Sequence, residues 1–260
     1  TRASKSDGTA LEVPTFVNEF WTARQRQASS LHEVSYRACF KPQLPRFFIE
    51  RLTRPGERVY DPFMGRGTTL LEAALLGRVP AGCDVNPLST VFTRPRLHPP
   101  ELDEIAPRLR DIPLDRPIDE PDDLLAFYHP EVLRAISSLK RYFLDRKQRG
   151  ALDSLDEWIR MVAINRLTGH SSGFFSVYTL PPNQATSAKA QRKINEKRRQ
   201  TPPRRDVPAI LLKKSRQLLG DCTPEVRRAL ARVTGGAQLL TGTSDATPAL
   251  DSGSVSLVVT

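Results

Sequence analysis

The stretch DPFMGRGTT, residues 61–69, follows a short apolar segment and leads into apolar residues at helical spacing. We predict a strand over residues 57–61, a helix over 68–76 that ends at Gly77, and a second strand over 79–85. A strand, a turn, a helix and a strand in this order form the building block of a parallel sheet. The stretch therefore predicts an α/β fold.

Two nucleotide-binding patterns resemble this loop, and each differs from it at one position. A phosphate-binding P-loop requires a lysine directly before its serine or threonine, whereas Gly67 precedes Thr68 here. The dinucleotide fingerprint requires a third glycine for close helix–strand packing, and this sequence has Leu70 in that place. The spacing argues against both patterns.

The loop suits a small cofactor that carries a charged amino-acid end. Gly65 and Gly67 have no side chain, so the backbone can approach a ligand closely. The amides at the start of the helix, together with the hydroxyls of Thr68 and Thr69, can donate hydrogen bonds to a carboxylate.

Two acids end the predicted strands. Asp84 is placed to accept hydrogen bonds from both hydroxyls of a ribose, and Asp61 is placed to pair with an ammonium group. These groups together indicate an S-adenosylmethionine pocket.

Composition and charge restrict the remaining classes. The 260 residues have no apolar run long enough to span a membrane and no signal-like start, so we expect an intracellular, cytoplasmic protein without a membrane partner. The cysteines and histidines lack metal-ligand spacing, so no metal site is predicted.

Apolar spacing outlines the rest of the chain. Residues between about 95 and 234 are mostly helical in pattern, and buried strands are predicted over 238–241 and 255–260. The helices with the clearest pattern are predicted over residues 17–27, 44–52, 124–144, 155–167 and 207–219.

The net charge of +10 is unevenly distributed. Residues 184–216, here called the basic block, carry eleven basic and two acidic residues, whereas residues 101–123 carry nine acids and three arginines. The prolines of the basic block argue against a packed core segment. Concentrated positive charge favours a polyanionic partner, and a solvated or disordered linker is the alternative.

Three segments together resemble the amino-methyltransferases of DNA, which methylate cytosine N4 or adenine N6. These segments are DPFMGRGTT followed by GCDVNPL, the upstream YRACFKPQLPRFFIERL at 36–52, and LLTGTSDATPALDSGSVSLVVT at 239–260. The resemblance implies a Rossmann-like sheet, incomplete in this chain, that binds S-adenosylmethionine and is interrupted by a long, mostly helical insertion. It divides the chain into a cofactor-binding half over 1–97, an insertion over 98–236 and a return to the sheet over 237–260.

The resemblance also assigns cofactor contacts. Phe40, Lys41 and Pro42 would line the methionine side, and Asp245 would meet the adenine. The full predicted cofactor set is Phe40, Lys41, Pro42, Asp61, Pro62, Phe63, Gly65, Gly67, Thr68, Thr69, Asp84, Val85, Asn86 and Asp245.

The position of the insertion resembles the family arrangement in which the target-recognition region lies in the middle of the chain. Double-stranded DNA is then the expected partner. Phe174, Phe175 and Tyr178 are candidates to stack on an extruded base or wedge into the duplex, and packing in the core or within a loop is the alternative for these aromatics. The predicted basic contacts are Lys189, Arg192, Lys193, Lys197, Arg198, Arg199, Arg204 and Arg205.

In the family, a tetrapeptide of the form [SDN]PP[YFW] follows the last of these strands and accepts hydrogen bonds from the target amine. Here that position falls directly after Thr260, and the sequence starts at Thr1 without a methionine. We therefore expect a piece of a longer protein, or one half of a split enzyme whose partner polypeptide supplies the catalytic motif and the remaining strands.

We expect cytosine N4 rather than adenine N6 as the target, although the first residue of the tetrapeptide, which is the best local indicator of the target base, falls after Thr260. Two other functions stay open from the residues alone: an RNA guanine-N2 methyltransferase, and a non-catalytic DNA-binding or assembly subunit with a degenerate pocket.

Overall fold

The structure, a computed structural model, describes residues 28–36, 39–117, 121–180 and 186–260, together with 2–4, 7, 8, 10–12, 15 and 17. Apart from Val17, the helix predicted over residues 17–27 lies outside the described residues. Near the start, strands β1 (Arg2–Ser4) and β2 (Ala10–Glu12) form an antiparallel pair.

A parallel sheet of four strands lies at the centre of the fold, in the order β5-β4-β3-β6. The bounds of its strands are β3 (Arg58–Asp61), β4 (Val79–Asp84), β5 (Gln238–Thr241) and β6 (Leu257–Val258). The sheet and the helices around it confirm the predicted Rossmann-like α/β fold.

The predicted strands over 57–61, 79–85 and 238–241 are confirmed, and the strand predicted over 255–260 is only two residues long. The prediction that β5 and β6 are buried is wrong. Both lie at the edges of the described sheet, and their side chains are half-buried or exposed. An edge strand has a neighbouring strand on one side only, which leaves its side chains less covered.

Three helices lie close in sequence to β3 and β4. Helix α1 is Gln43–Leu52, α2 is Thr68–Leu75 and α3 is Leu88–Leu97. Helix α2 packs on β3 and β4 and also contacts α1. Its first turn begins directly after the glycine loop, so the sheet positions that loop.

The insertion is helical, as predicted. Its helices are α4 (Leu102–Asp111), α5 (Asp122–Leu125), α6 (Pro130–Gln148), α7 (Ser154–Asn165), α8 (Ala188–Arg198), α9 (Val207–Leu218) and α10 (Pro224–Thr234). The predictions over 155–167 and 207–219 are confirmed by α7 and α9. The sequence pattern did not predict α3, α4, α8 or α10.

The single helix predicted over 124–144 is wrong, because the chain breaks it before Pro130. A proline restricts the residue before it to extended backbone and donates no amide hydrogen bond. His129 accordingly has extended backbone, with ψ of 145°, and its Nδ1 accepts a hydrogen bond from the Glu131 amide at 3.3 Å. His129 is therefore the N-terminal cap of a new helix, α6.

One cluster of buried apolar side chains extends from the sheet side into the insertion. It includes Leu71 of α2, Phe92 of α3, Trp158 of α7 and Leu211 of α9. The insertion is therefore packed against the helices that cover the sheet. None of the described helices combines the length and the apolar composition needed to cross a bilayer.

Candidate cofactor and nucleic-acid sites

The glycine loop lies at the carboxyl edge of the sheet, between two strands that each end in an acid. Asp61 ends β3 and Asp84 ends β4, and the two strands are adjacent and parallel. Residues 62–67 connect Asp61 to the first turn of α2. The structure thus brings together both acids and the two glycines that the sequence singled out.

Asp84 holds the loop in place. Its Oδ2 accepts a hydrogen bond from the Gly65 amide at 2.8 Å, and its Oδ1 accepts one from the Asn86 amide at 2.8 Å. Each carboxylate oxygen has further lone pairs available for ligand hydroxyls. Asp84 can therefore position the loop and bind a ligand at the same time.

Asp61 is the more buried of the two acids, with 2% of its surface exposed. It accepts a hydrogen bond from the Phe63 amide at 3.0 Å and others from Thr69 and Thr260. Burial raises the pKa of its carboxyl above the usual value, the hydrogen bonds oppose that rise, and the Asp84 charge adds to it. A cationic ligand group would stabilise the carboxylate.

The two loop glycines have backbone angles that favour glycine. Gly67 has φ of +74°, and a Cβ there would clash with the side chain of Thr93. Gly65 has φ of +49°, and a Cβ there would lie 3.2 Å from the Tyr36 ring. Both positions combine left-handed backbone with close neighbours, so any side chain would distort the loop.

Tyr36 is a site residue that sequence reasoning missed. Its ring lies beside Gly65 and packs edge-on against Phe92 at 6.0 Å between centroids. Its hydroxyl accepts a hydrogen bond from Asn86 Nδ2 at 3.1 Å. The only signal in the sequence was the aromatic residue that opens the stretch at 36–52.

Arg96 was also missed, because buried arginines have no sequence signature. It is fully buried, and its guanidinium donates to the carbonyls of Leu31 (at 3.1 Å), Phe92 and Arg66. Burial, and secondarily the charge of Arg66, lowers its pKa to about 9. Arg96 thereby ties residues 30–32 to the glycine loop.

The other predicted cofactor contacts lie around this edge in different environments. Phe63 and Val85, next to the two acids, are exposed apolar side chains that an aromatic ring could cover. Pro62 and Asn86 are half-buried, whereas Thr68 and Thr69 are buried at the start of α2. The single hydroxyl hydrogen of Thr69 has two acceptors within reach, the Asp61 carboxylate and the Val259 carbonyl at 3.2 Å.

The contacts implied by resemblance alone stay predictions. Phe40, Lys41 and Pro42 directly precede α1, and they are half-buried, exposed and buried in that order. Asp245 is exposed in the loop after β5, and a hydrogen bond from Thr243 lowers the pKa of its carboxyl.

The aromatic candidates for base contact separate into two kinds. Phe175 is fully buried in the core. Phe174 is 6% exposed, and its ring packs directly against the backbone of Gly169. Their burial corrects the prediction that these two phenylalanines contact a base. Tyr178 is 36% exposed, and the guanidinium of Arg198 lies 3.7 Å from its ring centroid.

The described part of the basic block forms helices rather than a disordered linker. Helix α8 carries Lys189, Arg192, Lys193, Lys197 and Arg198; Arg199 ends it, and Arg204 and Arg205 precede α9. The prediction that no part of the block packs into the core is wrong for α9, which buries Val207, Leu211 and Leu218. Its apolar residues recur at helical spacing, so one face is buried while the other stays charged.

Acidic residues pair with part of this charge. Arg192 lies 3.1 Å from Asp123, and Arg204 lies 2.6 Å from Glu131. Both pairs are exposed, so water and salt screen them. Within the described residues, no group of three or more His, Cys, Asp or Glu side chains is arranged to hold a metal ion.

A parallel sheet with a glycine loop between two acid-ended strands is consistent with a Rossmann-like methyltransferase sheet. A family model described as DNA methylase matches residues 4–88. Over this segment the chain is similar to the DNA methylase family, and the match does not separate cytosine N4 from adenine N6 enzymes.

Similar curated proteins carry consistent names. The chain is 36% identical over 80 residues to the Type II methyltransferase M.MvaI of Kocuria varians, covering 30% of this chain and 18% of that protein. It is 29% identical over 89 residues to the Type II methyltransferase M.MjaII of Methanocaldococcus jannaschii, covering 34% and 16%. It is 31% identical over 87 residues to the Type II methyltransferase M.BsoBI of Geobacillus stearothermophilus, covering 33% and 17%. The similarity thus spans less than a fifth of each relative, and no solved structure matches the chain significantly.

Proposed function

We propose that this chain is the cofactor-binding and target-recognition part of an S-adenosylmethionine-dependent DNA methyltransferase. The reaction is methyl transfer to an exocyclic amine of a base, with cytosine N4 favoured over adenine N6. The observation that carries the proposal is the pair of acids, Asp61 and Asp84, at adjacent strand ends around the glycine loop. The family match over residues 4–88 supports it.

The residues at this edge fit such a cofactor. Gly65 and Gly67 leave a cradle that a Cβ would fill, and Asp84 presents acceptors for ribose hydroxyls. Asp61 is a buried carboxylate that an ammonium group would neutralise. When bound, the cofactor supplies an electrophilic methyl group on a sulfonium sulfur.

The chain's own contribution is to bind and orient. An exocyclic amine is a weak nucleophile because its lone pair is delocalised into the ring, so it needs hydrogen-bond acceptors close by. The residues after strand β6 lie next to the predicted cofactor site, since the Val259 amide donates to the Tyr60 carbonyl at 3.1 Å and Thr260 is hydrogen-bonded to Asp61. We propose that the acceptors follow β6, from this or a second polypeptide.

Calorimetric titration of the full chain with S-adenosylmethionine tests the cofactor assignment. Asp84→Ala should weaken binding by roughly tenfold to a hundredfold, the equivalent of losing hydrogen bonds to a charged acceptor. Asp251→Ala is the matched control, because it removes an exposed acid in the loop before β6. Equal affinity in the Asp84 and Asp251 variants would refute the assignment.

A further inference from the structure

A polar cavity lies in the insertion, beside helix α9 and apart from the cofactor edge. Its volume is about 340 Å³, and five cationic side chains line it: Arg166, Arg204, Arg205, Lys213 and Lys214. The acid in its wall is Asp206, whose Oδ1 accepts the Ala209 amide hydrogen bond at 2.9 Å as the cap of α9. The wall therefore carries a large excess of positive charge.

The two most buried cations of the wall have no carboxylate in direct contact among the described residues. Lys214 is 7% exposed, and its Nζ donates to Gln217 Oε1 at 3.0 Å. Arg166 is 9% exposed, donates to the carbonyl and side-chain oxygens of Asn165, and stacks over Phe174 at 4.2 Å. Among the described residues, neither cation forms an ion pair with a carboxylate.

The charged groups near Lys214 compensate its positive charge only weakly. Burial, together with the positive charge of Arg166, lowers the pKa of Lys214 to about 8. Glu33 opposes this shift only from a distance, because the side-chain amide of Gln217 lies between the two groups, accepting from Lys214 and donating to the Glu33 carboxylate. An unpaired buried cation destabilises a protein, and residues retained at such a cost often serve a ligand.

Hydrogen bonds link the wall of this cavity to the segment that packs beside the glycine loop. Asn165, next to Arg166, donates from Nδ2 to the Ser35 carbonyl at 3.0 Å, and the Ser35 amide donates to its Oδ1 at 3.4 Å. Ser35 precedes Tyr36, which lies beside Gly65. The segments Asn165–Arg166 and Ser35–Tyr36, which are hydrogen-bonded to each other, thus connect the cationic cavity to the loop that would hold the methyl donor.

We propose that this cavity binds a backbone phosphate of DNA, with Arg166 and Lys214 as the inner donors and Arg205 and Lys213 at the rim. The DNA source of the phosphate rests on the function proposed above. Arg204 is already paired with Glu131 and contributes less.

Binding of the full chain to a 20-base-pair duplex, followed by fluorescence anisotropy from low to high salt, tests the proposal. Lys214→Met should weaken affinity about tenfold at 0.1 M salt and reduce the salt slope by about 0.9, the value for one phosphate contact. The same variant should unfold at a higher temperature, because an uncompensated buried cation has been removed. Lys214→Arg should restore the slope.

Lys147→Met is the matched control, since it makes the same charge change on the exposed surface of α6. A Lys214→Met variant that stays folded and keeps the wild-type slope would overturn the proposal. Protection of the wild-type chain by inorganic pyrophosphate without duplex binding would overturn the DNA source of the phosphate. S-adenosylmethionine titration of the same samples reports separately on the proposed function.

Discussion

At the scale of single residues, Gly67 shows how the loop constrains its sequence. It combines φ of +74° with close contact to Thr93, whereas Gly253 has the same φ of +74° and open space around it. Gly67→Ala should lower the free energy of unfolding by roughly 1–3 kcal/mol from backbone strain, plus the cost of the clash.

Chemical denaturation of Gly67→Ala and Gly253→Ala side by side separates the two contributions. The Gly253 variant reports the strain of left-handed backbone alone. Equal decreases of stability in both variants would show that the Thr93 side chain moves aside at no cost and that the contact with Thr93 does not require glycine at position 67.

The raised pKa of Asp61 predicts a pH dependence of cofactor affinity. An ammonium group pairs with the carboxylate form, so affinity should fall as pH is lowered through the raised pKa of Asp61. The fall should begin at a higher pH than an exposed aspartate would give, and it should not exceed about tenfold per pH unit. Titration of S-adenosylmethionine at a series of pH values measures it.

Asp61→Asn is the control for that titration, because an amide does not ionise in this range. We expect the variant to bind more weakly near neutral pH and to lack the acid-side fall. A wild-type profile that remains parallel to that of Asp61→Asn would remove Asp61 from contact with the ammonium group.

At the scale of secondary-structure elements, a buried polar cluster joins the segment over 30–32 to α1 and α2. Glu72 of α2 is 1% exposed; its Oε1 lies 2.7 Å from His32 Nε2, and its Oε2 accepts from Arg46 Nε at 2.8 Å. Burial lowers the pKa of His32, so the ring is neutral near pH 7. The cluster therefore fixes these elements by hydrogen bonds from partners on both sides of Glu72.

Glu72→Ala should lower the free energy of unfolding by about 3 kcal/mol, at the lower end for breaking a buried pair because Arg46 is partly exposed. Glu50→Ala is the control, since Glu50 pairs with the same Arg46 at 3.3 Å on the surface. Its effect should stay below about 1 kcal/mol. Thermal or urea denaturation measures both, and equal effects would contradict the role given to Glu72.

Helices and strands could be predicted from the sequence where apolar periodicity and boundary residues determine them locally. Strands β3 and β4 and helix α2 have clear apolar periodicity and glycine or acid boundaries. Helices α3 and α4 each contain an internal proline, at Pro95 and Pro107, and this obscured them. Their stability comes from packing against other helices, which propensity alone does not reveal.

At the scale of the whole molecule, the insertion carries both the basic block and the acidic segment over residues 101–123. If the basic block contacts DNA, replacing its arginines by alanine should weaken binding and reduce the salt slope by about 0.9 for each phosphate that the variant no longer neutralises. The arginines chosen are Arg198, Arg199, Arg204 and Arg205. Filter binding at several salt concentrations measures the slope.

Arg228→Ala provides the background for that experiment, because Arg228 is exposed on α10 and pairs with Glu225 at 2.7 Å. Its slope should equal that of the wild-type chain. An unchanged slope in the fourfold variant would exclude these four arginines from the DNA interface.

The unit from β3 to β4, with its glycine loop and two acids, was predictable from the amino-acid sequence because the strand, turn and helix signals there are local. The folded chain was needed to show that Tyr36 lies beside Gly65, that Phe175 belongs to the core, and that Arg166 and Lys214 share a cavity. Those arrangements join residues distant in the chain, so they depend on helix packing that no short stretch of sequence encodes.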